Sequence, residues 1–189
     1  MELPGSENSD EFGGAVGPHV WYVTTVALIV YYRPMPDWVL LAYRLPREPS
    51  TPRITLWRKL NRLGAAKIAD GLVALPLDSR TREQFEWLAN DVIEAAGEAT
   101  IWVGKPEPAA QERALARAMF DAIAIEYAAV SEEAAAALDD PANVRKRTLA
   151  RLRRELRRIR ARDYFPPPER ERVLGAVELL AGSLEVVEA

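Results

Sequence analysis

Six cationic side chains gather within a short stretch: Arg44, Arg47, Arg53, Arg58, Lys59 and Arg62. Arginine presents a planar fork suited to phosphate or another tetrahedral oxyanion, and several on a rigid element leave an electrostatic footprint for nucleic acid. A second run spans residues 145–162, with ten basic side chains and one acid, Glu155, a local charge of +9. Within it Arg151, Arg154 and Arg158 recur at spacings of three and four, one stripe of a helix. Such a stripe follows a phosphate backbone and makes binding salt-dependent. The plainer reading is solvated helix faces whose arginines pair with nearby acids.

The rest of the composition narrows the chemistry. With no cysteine in 189 residues, disulfides, thiolate catalysis and cysteine-bound zinc are excluded. The one histidine, His19, stands in the N-terminal tail, away from any recognisable element. A Ser-His-Asp triad or histidine metal site is therefore not expected, and no cofactor is implied. The overall charge is −3, which leaves everything outside residues 145–162 near −12. That segregation points to a partner surface, internal or external.

The elements that must position the arginines follow from patterning. Residues 1–36 read as a disordered or non-native extension, with Met35 as the expected native start; the alternative is an extra strand or partner-binding arm. The apolar stretch 20–32 is 13 residues long, short of a membrane span of roughly 18–20. Trp38 to Tyr43 is an apolar run that fits a strand buried on both faces, closed by Pro46. Ser50-Thr51-Pro52 opens a helix, with Ser50 or Thr51 as hydroxyl cap and Leu56, Leu60 and Leu63 on its buried stripe. Gly64 ends it. A strand at 66–69, the turn Asp70-Gly71 and a strand at 72–77 form a hairpin. Asp78 and Ser79 are candidate caps of a second helix, with Phe85, Leu88, Ala89, Val92, Ile93 and Ala96 as its stripe and Gly97 as its stop. A strand follows at 99–103. This βαββαβ order over residues 37–106 predicts an α+β, ferredoxin-like sandwich.

Residues 107–189 read as helical. The alanine-rich segment 109–138 places Leu115, Met119, Ala122, Tyr127 and Val130 inward; Pro141 breaks it. Residues 143–162 carry the seam Leu149, Leu152, Leu156 and Ile159, and 169–185 carry Val173, Val177, Leu180 and Leu184. An antiparallel bundle or long hairpin on the sandwich is expected. The stretch from Glu107 to Asp140 holds eight acids against two basic residues, so Arg–Glu pairs could absorb part of the arginine run. Trp57, Trp87 and Trp102 are expected in or half in the core, although Trp57 and Trp87 could reach a stacking surface.

YRLPREPSTPR (43–53), WRKLNRLGA (57–65), DGLVALP (70–76), REQFEWLA (82–89) and RARDYF (160–165) stand in the order found in one family. The chain resembles, over about residues 37–185, the N-terminal domain of the ChrB chromate-resistance regulators. The resemblance implies a cytoplasmic, non-enzymatic regulator whose partners are promoter DNA and, as signal, chromate; self-association is left open and no membrane partner is implied. These regulators usually carry a further C-terminal domain with no counterpart here, which counts against chromate sensing by this chain. The sandwich order also resembles the small CRISPR adaptation subunit, some members of which hold a metal on an aspartate ending the first strand. Here Arg44 stands at that place and would repel a cation, so a nuclease is disfavoured. The alternative to a DNA-binding regulator is a non-catalytic interaction module whose arginine helix pairs with an acidic helix or partner.

Overall fold

Seven residues, WVLLAYR, form the strand on which the other elements are laid: β1, Trp38–Arg44. A computed structural model describes residues 37–188. The expectations for the extension 1–36 and for a start at Met35 lie outside the described residues. After β1 come α1 (Thr51–Leu63), β2 (Ala66–Ala69), β3 (Leu72–Pro76), α2 (Ser79–Glu94), β4 (Glu98–Gly104), α3 (Ala109–Ala136), a single 3-10 turn, α4 (Ala142–Arg160) and α5 (Glu169–Glu188). The fold class is α+β, with one four-stranded antiparallel sheet in the order β2-β3-β1-β4.

Strand β1 is interior, as its unbroken apolar run predicts. It pairs with β3 on one side and β4 on the other, with Leu41 opposite both Val73 and Ile101. Val39 and Leu41 point to one face and Trp38 to the other, and all three are buried. Trp38 keeps its indole N–H within 3.4 Å of Glu112 on α3 and packs near the ring of Phe165.

Helix α1 buries Leu56 and Leu60 and ends at Gly64, whose φ of 68° is left-handed and suits a residue without a Cβ. Pro52 occupies the first turn as expected, but the Ser50 hydroxyl makes no cap bond. The start of α2 is better secured. The Asp78 carboxylate accepts the Thr81 amide at 2.6 Å, and Thr81 Oγ1 accepts the Asp78 amide at 3.0 Å, a reciprocal capping box. Its end differs from expectation. The helix closes at Glu94; Ala96 takes the left-handed position (φ 57°) while the Gly97 amide donates to Val92 O at 2.9 Å. Glycine is required at 97 for a different reason: a Cβ there would lie 2.5 Å from the Arg44 carbonyl oxygen. Ile93, expected inside, is exposed.

The three later helices touch one another and enclose a second core. The seams of α4 and α5 are buried as predicted through Leu149, Leu152, Leu156, Ile159, Val173, Val177 and Leu180. In α3 the stripe departs from the sequence reading, because Ala122 is exposed whereas Phe120 and Ile123 are buried. Ala116 and Met119 on α3 join the core beneath the sheet, together with the partly buried Tyr164 and Phe165.

Candidate nucleic-acid interface

The basic cluster around α1 is carried by the end of β1, the connecting loop and one helix face. Arg44, Arg47, Arg53, Arg58 and Arg62 are exposed and make no ion pair among the described residues. Arg44 ends β1 in register with Glu98, and its carbonyl oxygen lies where only a glycine fits at position 97. Lys59 differs from the others: its ammonium donates to Asp91 on α2 at 2.6 Å. That pair borders a cleft of about 270 Å³ beside Leu45, Thr51 and Thr55, so Lys59 is committed to holding α1 against α2.

The arginine run divides in the same way. Arg151 pairs with Glu133 of α3 and with Glu155 one turn along, and Arg162 makes a two-pronged contact with Glu126, at 2.8 and 2.5 Å. The acidic helix therefore takes some of the charge, as the interaction-module alternative anticipates. It leaves Arg147, Arg153, Arg154, Arg157, Arg158 and Arg160 exposed and without an ion pair among the described residues. Arg154 and Arg158 belong to the expected stripe. Arg153, Arg157 and Arg160 form a neighbouring one that the sequence reading passed over, although their spacing of four and three shows it.

The structure brings these two elements together at their C-terminal ends. A Cβ placed on Gly64 would lie 3.0 Å from the Cβ of Arg162. The Tyr164 hydroxyl donates to the carbonyl of Leu63 at 3.0 Å, and the Arg80 guanidinium donates to the carbonyl of Ala161 at 3.0 Å while lying over the Tyr164 ring. Both acceptors are helix-end carbonyls, which lack partners within their own helices. The segment 160–165, RARDYF, is thus the joint between sheet and bundle.

A buried carboxylate lies inside the joint. Asp163 accepts the Tyr127 hydroxyl at 2.9 Å and lies 3.6 Å from Arg170, with its other oxygen buried and unpartnered. Burial raises its carboxyl above the ordinary aspartate value, partly offset by the Tyr127 bond and by Arg170 and Arg160. Burial, then the Asp163 bond, raises the Tyr127 phenol well above its ordinary value.

The three tryptophans correct the sequence reading. Trp57, Trp87 and Trp102 are 62, 61 and 62% exposed, none of them in the core. Asp70 pairs with Lys67 across the hairpin turn at 2.6 Å, and the lysine holds its carboxyl below the usual range. No group of three or more metal-ligating side chains occurs among the described residues. No described helix is long and apolar enough to cross a membrane.

Residues 53–186 match the family model described as Protein ChrB, N-terminal. The chain belongs to this ChrB N-terminal family. It is 33% identical over 138 residues to Protein ChrB of Cupriavidus metallidurans, an alignment covering 70% of this chain and 42% of that protein. The chain therefore corresponds to less than half the length of this ChrB relative. No solved structure matches. The matched family span holds α1 from Arg53 onward, the joint and all of α4, whereas Arg44 and Arg47 precede it.

Proposed function

We propose that this ChrB-family chain is a chromate-resistance regulator module that binds promoter DNA through α1 and α4, without catalysis, in the cytoplasm. The observation that carries the reading is the meeting of two basic helices at one joint, with their arginines exposed and largely unpaired. Charge of one sign on two rigid, adjoining elements suits a phosphate backbone, and arginine forks suit its oxygens. The strand order β2-β3-β1-β4 with two split β-α-β crossovers supports a ferredoxin-like reading of the sheet half, which presents α1 as a fixed platform. Arg44 at the end of β1 argues against a cation-dependent nuclease built there.

The two helices would divide the work. Helix α1, short and tied to the sheet, docks in fixed register; α4 follows the backbone. A salt titration of binding to the protein's own promoter and to random duplex tests this. Arg58→Ala with Arg62→Ala is expected to weaken binding and alter site preference. Arg154→Ala with Arg158→Ala is expected to weaken both duplexes alike and to lower the salt slope by about one for each phosphate no longer neutralised. Wild-type protein that associates with neither duplex at low salt refutes the reading and leaves the interaction module.

A further inference from the structure

Of the exposed indoles, Trp57 and Trp87 have opposite electrostatic surroundings. Helix α2, which bears Trp87, carries Glu83, Glu86, Asp91 and Glu94 against Arg80 and Arg82, with Arg82 paired to Glu86, whereas α1 around Trp57 contains four cations and no acid. On α1, Ile54, Trp57, Arg58 and Asn61 recur at three and four, and all are exposed, opposite the buried Leu56 and Leu60. Among the described residues no hydrogen bond or ring contact engages the Trp57 indole, which is 62% exposed. Arg53 lies one turn before it, about 6 Å along the axis, and Arg58 directly follows. An exposed indole on a helix that also displays unpaired guanidinium groups matches a nucleotide, whose base stacks while its phosphates meet the cations.

We propose that Trp57, with Arg53 and Arg58, is a stacking site for an unpaired base, so that α1 holds single-stranded or locally opened nucleic acid more tightly than closed duplex. This rests on the nucleic-acid reading above and adds to it an interaction that charge alone does not supply. Stacking depends on a π face and little on salt, whereas the arginine–phosphate interactions depend strongly on salt, so the two separate experimentally.

The test uses the full chain, a labelled oligothymidine strand and a duplex of equal length, followed by anisotropy over a salt series. Trp57→Leu is expected to weaken strand binding about tenfold with an unchanged salt slope. Trp57→Phe should retain most of the affinity, and Trp87→Leu should bind like wild type. Because the indole is exposed, melting temperatures should stay close to wild type. Wild-type-like strand binding by Trp57→Leu overturns the proposal, as does an equal loss in Trp87→Leu. If duplex binding persists with its arginine dependence while Trp57→Leu has no effect, only this inference falls. If wild type binds neither strand nor duplex, the underlying reading falls with it, and the exposed indole is left to a protein partner.

Discussion

Helix α1 and helix α4 both display arginines to solvent, but they are held in place by different means. Helix α1 has 13 residues, buries Leu56 and Leu60, and depends on ties at its flank and end: Lys59 to Asp91, and the Leu63 carbonyl to Tyr164. Helix α4 has 19 residues and buries a continuous seam of Leu149, Leu152, Leu156 and Ile159 against α3 and α5. The difference separates two ways of presenting charge. On α4 the apolar seam fixes the helix, so its outward arginines can vary with little effect on stability. On α1 one cation, Lys59, is itself part of the attachment.

The largest expected effect breaks this contrast at the seam. Leu152→Asp puts an unpaired charge among fully buried side chains and should cost about 3–5 kcal/mol in urea unfolding. A loss below about 1 kcal/mol would show that the seam does not hold α4 as described.

Next comes the joint, through Asp163. Its carboxyl is raised above the ordinary 3.8, so the group favours folding below that pH and loses this contribution as pH rises through the raised value. Asp163→Asn removes the titration. Its stability relative to wild type should therefore shift in the variant's favour as pH rises from about 3.8, then level off. Thermal unfolding across that range checks the sign; a gap that is flat or moves the other way contradicts the burial argument.

The smallest effects sharpen the contrast at the paired cations. Lys59→Met and Arg151→Met each remove a partly exposed ion pair and should cost less than about 1 kcal/mol, diminishing at high salt. Lys59→Met should also loosen α1 against α2, seen as faster amide exchange in α1. Arg151→Met should leave exchange in α4 unchanged.

Legibility in the sequence followed how local the deciding interaction was. The interior position of β1 could be read from its six-residue apolar run, and the seams of α4 and α5 from spacing alone, because each signal is complete within one element. Helix α3 departs from its pattern at Ala122 because alanine supplies little contrast around a helix; Phe120 and Ile123 lie beside it and fill the space instead. Residue type places the three tryptophans inside, yet whether a tryptophan is covered depends on which neighbouring element arrives over it. The arginine clusters could be read as composition. Which of their members are tied up could not, since Lys59 and Asp91 are 32 residues apart and Arg162 and Glu126 are 36 apart. Nor does spacing show that the two clusters adjoin.

The joint at residues 160–165 also sets an order in time. Tyr164 closes on Leu63 across 101 residues, and Trp38 reaches Glu112 across 74. Closures of that span follow local helix formation, because their loop entropy is lost before any interaction offsets it. During synthesis the sheet half emerges first, with α1 already displaying its arginines, and the Tyr164 contact with Leu63 can form only after residue 164 has left the ribosome. The meeting of the two basic helix ends is therefore a late product of folding, formed after each helix has taken shape on its own local contacts.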